Sequence, residues 1–522
     1  MTESNDKQVL KKTGIVSGER YLSPDVLDIR SRQAASALHD LGVWQGDQVA
    51  LLLRNDFAFF EATFGSGLLG ASPVPLNWHL SADEIAHILD DSGAKVLIAH
   101  ADLMSESVIA VCSNVVVIGV RTPDEIAAAY GIADDRCEIP GGIPDWRVWI
   151  SSFAEWQEAP RSIAGPMFYT SGTTGMPKGV KRKSASPQVV AAIQKRTNAA
   201  WGFDRAEVRS VMSGPLYHSA PNAYGLHVVR SGGLLILQPR FDAEELLSLI
   251  QQYGITHLHM VPTMFVRLLD LPIEVRNRYD VSSLRFVSHG AAPCPPDIKR
   301  SMLNWWGPVI HEYYAMTEIG IATICNSEEW QSHVGTVGHA GPGVDLKIIA
   351  EDGSRCGIGE AGEIYVRSEA TTRFVYHRDQ AKTESARRGD YVATGDIGYL
   401  DEDDFLYISD RKTDMVISGG VNIYPAEIES VLVTLDNVRD CVVFGIPDKN
   451  YGEKLVAVVD SNGPLDADDI VSQLRSRIAS YKIPREYFFA RHLPREDSGK
   501  IKKRVVRDQY LTGTLVAVAD QT

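Results

Sequence analysis

Apolar positions along the chain fall into two alternating rhythms. Ser81-Ala-Asp-Glu84 can close a capping box, in which Ser81 accepts from an exposed helix N–H and Glu84 reaches back. Ile85, Ile88 and Leu89 then share one helical face. Gly93 stops that helix, and Lys95-Val-Leu-Ile-Ala99 reads as a buried strand. The order recurs downstream. Asp242 and Glu245 open a helix bearing Leu246, Leu247 and Ile250, Gly254 ends it, and Ile255 to Val261 reads as a strand. Further apolar strands are predicted at 47–53, 208–213, 233–238 and 284–288, and Gly165-Pro-Met-Phe168 could close another. Strand–helix alternation with short connections predicts α/β layers and largely parallel sheets. After about 335 the texture changes: Gly-rich turns separate short strands, as in Glu360-Ala-Gly-Glu-Ile-Tyr-Val-Arg367, which reads as a smaller β-rich subdomain. Asp410-Arg-Lys-Thr-Asp414 is a charged break between apolar blocks. It predicts a large domain over 1–410 and a small α+β domain over 411–522.

Composition narrows the field. The 522 residues, at about 100–200 per domain, suggest roughly three or four folding units. A hydrophobic share of 44% and a charged share of 23% exclude a disordered chain, a collagen-like repeat and a small disulfide scaffold. The net charge of −15 argues against coating nucleic acid, while leaving room for a local basic site for a small phosphorylated ligand. The six cysteines form no CxxC pair, which suits free thiols in a reducing compartment. The N-terminus lacks the apolar core of a signal peptide, and Val108 to Val120 is too short to span a bilayer. The expectation is a cytoplasmic protein that is not integral to a membrane, with a homodimer left open.

The segment Tyr169-Thr-Ser-Gly-Thr-Thr-Gly-Met-Pro-Lys-Gly-Val180 carries the first clear chemistry. It holds three glycines, four aliphatic hydroxyls and one lysine. Glycines let backbone N–H groups turn toward an anion, hydroxyls add donors, and Lys178 adds charge. The spacing of Gly172, Gly175 and Lys178 fails the Walker A pattern, and read alone the segment is equally a polar surface turn.

This segment resembles the phosphate loop of the AMP-forming acyl-CoA synthetases, within the adenylate-forming superfamily. The resemblance continues in order. Pro215-Leu-Tyr-His-Ser-Ala-Pro221 looks like the stretch beside the acyl pocket, and His289-Gly-Ala-Ala-Pro293 like the adenine-binding turn. Tyr314-Ala-Met-Thr-Glu318 resembles the family's YGxTE motif, and Tyr391-Val-Ala-Thr-Gly-Asp396 its ribose-binding TGD motif. Asp410-Arg-Lys-Thr-Asp414 and Ser418-Gly-Gly-Val-Asn-Ile-Tyr-Pro look like the hinge and the loop after it. Pro494-Arg-Glu-Asp-Ser-Gly-Lys500 resembles the C-terminal lysine motif.

The resemblance implies an acid–CoA ligase using ATP, Mg²⁺ and coenzyme A as well as a small-molecule carboxylic acid. A carboxylate approaching the α-phosphate brings anion to anion, so the site must supply cations where charge crowds. The resemblance assigns Lys500 to bridge the two anions, Thr317 to the α-phosphate and Glu318 to Mg²⁺. Thr170, Ser171, Gly172, Thr173, Thr174, Gly175 and Lys178 would hold the leaving phosphates. Gly290, Ala291, Ala292 and Pro293 would form the adenine turn, on whose base Tyr314 would stack. Asp396 and Arg411 would hold the ribose. Thr413 would be the hinge for a swinging C-terminal domain, and Gly419 and Gly420 would line the pantetheine channel. Read alone, Lys500 opens a basic run that is a solvated helix face, Glu318 is a surface carboxylate and Asp396 a turn residue. Only the order of the motifs lifts them above that.

His218, His289, Tyr313 and Ala315 are the expected acid-side residues. The small residues 290–292 would leave width there, and a ring at Tyr313 would block or redirect a straight acyl channel. No acidic or basic residue in the pocket-flanking segments suits an ammonium or a second carboxylate, so a bulky apolar acid is expected: fatty, aryl-alkanoic or polycyclic. The competing readings are an adenylating enzyme that loads a separate carrier protein, and a non-catalytic nucleotide or acyl sensor. A sensor would tolerate loss of Lys500, Glu318 or Asp396, and all three are present.

Overall fold

The computed structural model describes residues 13–161, 165–170, 177–183, 185–204, 207–369, 371, 373–418, 421–449, 451–461, 463, 465–495 and 501–515. Its largest sheet has nine strands. Arg209–Met212, Leu234–Leu237, His257–Met260 and Phe286–His289 form a parallel centre, extended by Gly14–Ser17 on one side and Ile310–Met316 on the other. Antiparallel strands close both edges. Apart from the half-buried Arg209 the central strands are buried, which accounts for their largely apolar sequences.

A second, all-parallel sheet joins Ser72–Pro75, Gln48–Leu52, Ala94–His100 and Val116–Val120. Helix Ala82–Ser92 enters it as predicted. Ser81 Oγ accepts from Glu84 N at 3.3 Å, Glu84 Oε2 accepts from Ser81 N at 2.8 Å, and Gly93 ends the helix at φ 67°. Asp242 likewise caps Ala243–Tyr253, and Gly254 stops it at φ 57°.

The β-rich part is a five-stranded antiparallel sheet built from Asp345–Ile349, Gly362–Arg367, Arg387–Arg388, Tyr391–Leu400 and Leu406–Arg411. A three-stranded sheet, Phe168–Thr170, Lys178–Arg182 and Phe374–Tyr376, lies beside it and shares one core with it through Val180, Phe374, Ile364 and Val366. Here one expectation is corrected: residues 165–168 do not close a strand but lead into one that starts at Phe168. The C-terminal domain packs helices Pro425–Leu432, Ala467–Arg475 and Lys503–Leu511 on a five-stranded sheet centred on Val438–Asp448 and Gly452–Ser461. This is the mixed α/β architecture with a separate small C-terminal domain that the sequence implied. No helix among the described residues is long and apolar enough to cross a membrane.

Candidate active site

The residues around Thr317 and Glu318 sit in the turn between strands Ile310–Met316 and Gly320–Cys325. Three other elements converge on that turn. The helix Ser219–Arg230 begins at Ser219, whose hydroxyl lies 3.1 Å from Thr317 Oγ1. Arg182, ending its strand, donates from Nη2 to the Thr317 carbonyl at 2.6 Å. Tyr376, two strands away from Phe168–Thr170, donates its hydroxyl to Glu318 Oε1 at 3.0 Å. Lys382 sits 4.1 Å from the centre of the Tyr376 ring, and burial followed by the charge of Lys178 lowers its pKa. Lys178 itself pairs with Asp379 at 3.2 Å. Arg182, Tyr376, Lys382 and Ser219 were not singled out from the sequence. The signal available for Arg182 was its place on the same face of an alternating strand as Lys178.

A single buried carboxylate, Glu318 at 8% exposure, suits Mg²⁺, which binds through one or two carboxylates plus substrate phosphates. The described residues hold no cluster of three His, Cys, Asp or Glu that would form an all-protein cage.

A second group forms where the two sheets meet. Tyr314 donates to Asp396 Oδ2 at 2.5 Å, and Arg411 Nε lies 3.4 Å from Asp396 Oδ1. Asp396 and Arg411 face each other as register partners, so the antiparallel pairing itself sets this contact. Burial and then the Asp396 charge raise the Tyr314 hydroxyl well above its ordinary pKa, so it stays a donor. Thr413 lies exposed just beyond, its hydroxyl 3.3 Å from Asp414 Oδ1. Asp410 accepts from Arg411 N and from Ala426 N, at 2.7 and 2.8 Å, tying the strand Leu406–Arg411 to the helix Pro425–Leu432. Lys503 completes that corner by pairing with Glu429 at 2.9 Å.

Of the residues expected on the acid side, His218 immediately precedes the helix Ser219–Arg230 and packs on Tyr217 with ring centroids 4.4 Å apart. Asn55 holds this stretch from the other sheet: its Nδ2 donates to Gly214 O at 2.9 Å and its Oδ1 accepts from Leu216 N at 2.8 Å. Tyr313 is 3% exposed and shares a 2.6 Å hydrogen bond with His259 Nε2. Trp201, Tyr224 and His259 pack around it, and burial lowers His259 to about 4, so the ring is neutral at pH 7. Ala315 follows at a register shift opposite Ile321.

The expected width at residues 290–292 is corrected at its first position. A Cβ on Gly290 would meet the Tyr313 carbonyl at 2.8 Å and its ring at 2.9 Å, so Tyr313 already fills that space. Ala291, exposed, holds φ 71°, Ala292 is half-buried and Pro293 exposed. His289 is wholly buried, enclosed by Phe265 and by Glu312, whose Oε2 is 3.6 Å away. Glu312 also pairs at 2.5 Å with Lys299, a lysine with no exposed surface. Thr170 pairs in register with Lys178. Ser171, Gly172, Thr173, Thr174, Gly175, Gly419, Gly420 and Lys500 lie outside the described residues.

A large domain of layered sheets followed by a small α+β C-terminal domain is the architecture of the adenylate-forming enzymes. The chain belongs to the AMP-binding enzyme family, which matches residues 2–376, and the C-terminal domain of AMP-binding enzymes matches 427–500. It is 32% identical over 492 residues to a long-chain-fatty-acid–CoA ligase of Mycobacterium tuberculosis, covering 92% of this chain and 91% of the relative. It is 33% identical over 513 residues to a feruloyl-CoA synthase of Amycolatopsis, covering 95% and 96%. Among solved structures it is similar to the o-succinylbenzoate CoA synthetase of Bacillus subtilis bound to its acyl-adenylate, with TM-score 0.80, 27% identity and 96% of each chain covered.

Proposed function

We propose that this ligase activates a bulky apolar carboxylic acid. The underlying activity is that of an ATP-dependent, AMP-forming acid–CoA ligase using Mg²⁺ and coenzyme A. In the first half-reaction a carboxylate oxygen bonds to the α-phosphorus of ATP while the bond to the β-phosphate breaks and pyrophosphate leaves. In the second, a thiolate bonds to the acyl carbon and AMP departs.

The roles assigned to this chain's residues follow the resemblance. Lys500 neutralises the two approaching anions. Residues 170–175 and Lys178 hold the leaving phosphates, and Thr317 binds the α-phosphate. Asp396 accepts from the ribose hydroxyls with Arg411 beside it, and Tyr314 stacks on the base next to the turn 290–293. Glu318 would hold Mg²⁺, which would supply charge neutralisation on the phosphates. Thr413 is the hinge between a domain over 1–410 and one over 411–522, and Gly419 and Gly420 line the thiol channel. Support for the nucleotide assignment comes from the convergence of Arg182, Ser219 and Tyr376 on Thr317 and Glu318.

The acid assignment is supported by one observation: Tyr313 backs onto a wall of neutral rings, Trp201, Tyr224 and His259. His218 and Ala315 complete this side of the proposed pocket, with His289 wholly buried behind it between Phe265 and Glu312. A pyrophosphate-release screen over carboxylic acids with ATP and Mg²⁺ tests it, run with and without coenzyme A. Aryl-alkanoic, fatty and polycyclic acids should turn over fastest, and release should go on to thioester only when the free thiol is present. Faster turnover of acetate, amino acids or dicarboxylic acids would overturn the acid assignment. A carrier protein as the sole acceptor would overturn the choice of thiol.

A further inference from the structure

Successive side chains of a strand point to opposite faces, so Lys178, Val180 and Arg182 share one face of Lys178–Arg182. Val180 is 2% exposed and packs with Ile319 and Phe374, which makes this the inward face. Arg182 is thereby directed at the Thr317–Glu318 turn, where its Nη2 donates to the Thr317 carbonyl at 2.6 Å.

Among the described residues the charge it brings there has no ion-pair partner; Glu318 is the one acidic group acting on it, while Arg373 and Arg196 oppose it. Burial first, and the Arg373 charge second, push its pKa below the ordinary arginine value. Arg373 lies on the adjacent strand's lead-in, where its guanidinium donates to the Lys183 carbonyl. Among the described residues five cations around the turn, Lys178, Arg182, Arg196, Arg373 and Lys382, face three carboxylates, Glu318, Glu369 and Asp379. In a chain with net charge −15 this is a local positive surplus. A half-buried guanidinium beside like charges costs stability, and an apolar residue at the end of this strand would avoid the cost. A multiply charged anion bound at the turn supplies the missing counter-charge.

We propose that Arg182 is a positioning residue of the nucleotide site: it fixes the Thr317–Glu318 peptide through the Thr317 carbonyl and sets beside Glu318 a positive charge that the polyphosphate of ATP balances. This rests on the nucleotide reading above. Thr317 is then held from two sides, at its hydroxyl by Ser219 and at its carbonyl by Arg182.

The test is calorimetric titration of the full chain with ATP and Mg²⁺, together with thermal melting of the free protein, for the wild type, Arg182→Met and Arg182→Lys. The methionine variant should bind at least about tenfold more weakly, as expected for losing a charged hydrogen-bonding group. It should melt no lower than the wild type, because an uncompensated cation has been removed. The lysine variant should keep most of the affinity. Methionine-variant binding indistinguishable from wild type overturns the assignment, as does weakened binding that tracks a lowered melting temperature. Equal losses in the two variants overturn the role of charge. A wild-type protein that fails to bind ATP at all would instead bring down the nucleotide reading itself, which separates the two failures.

Discussion

The hydroxyl of Tyr314 donates to Oδ2 of Asp396 at 2.5 Å, joining two motifs 82 residues apart. Tyr314 lies in a strand of the nine-stranded sheet and Asp396 in the five-stranded antiparallel one, so this bond links the proposed base-stacking ring to the proposed ribose acceptor. Tyr314→Phe keeps the ring and removes the bond. A hydrogen bond to a charged group is worth about 1.5–3 kcal/mol, so KM for ATP in acid-dependent pyrophosphate exchange should rise roughly tenfold or more. Steady-state kinetics check this, and an unaltered KM would show that the bond does not set nucleotide geometry.

Lys500→Ala separates the half-reactions. Losing one positioned electrostatic group costs about 10²–10³ in rate, so acid-dependent pyrophosphate release should fall by that factor. Thioester formation from a synthetic acyl adenylate should largely survive. Equal loss in both assays would mean that the lysine has been given the wrong role.

Lys299 and Glu312 form a buried pair, with Lys299 Nζ 4.7 Å from the Trp330 ring centre. Removing one partner strands the other, so Lys299→Met alone should cost about 3–5 kcal/mol. Adding Glu312→Leu should return most of that loss. Urea unfolding of the two variants checks the direction, and an intact single variant would show the pair to be idle.

Asp410 gives a pH dependence with a defined sign. Burial raises its pKa from 3.8 to about 6, against the opposing pull of Lys503 and two backbone N–H donors. Between these values the folded state keeps a proton that the unfolded chain releases. The contribution is therefore full below about pH 4 and lost as pH rises through about 6, worth roughly 2–3 kcal/mol at one pKa unit per 1.36 kcal/mol. Asp410→Asn should remove this slope. Unfolding free energies from pH 4.5 to 7 for both proteins would reveal it, and parallel curves would contradict it.

Local rules carried most of the element prediction. The Ser81–Glu84 box, the Gly93 and Gly254 stops and the apolar strands depended on neighbours a few residues away, and they stand within a residue or two of their expected limits. What escaped was set by distant partners. Gly14–Ser17 has no pattern of its own beyond four residues, and it is a strand because Leu234–Leu237 pairs with it in parallel. Arg182 reads as one more charge in Lys181-Arg182-Lys183 until the burial of Val180 shows which way it points. The width expected at Gly290 failed for the same reason: glycine was read as open space, whereas Tyr313 from the next strand occupies it. Motif order located the candidate site, but the bonds that assemble it run between strands whose neighbours the sequence does not name.

The pairing of Gly14–Ser17 with Leu234–Leu237 also has a consequence for synthesis. The second strand follows the first by 220 residues. A ribosome adding about 5–20 residues per second leaves that early segment without its mate for on the order of ten to forty seconds. During that interval Ile15 and Val16, destined for the interior, stay open to solvent and to other nascent chains. Slowed translation before residue 234 should therefore lower the yield of native enzyme more than an equal slowing afterwards.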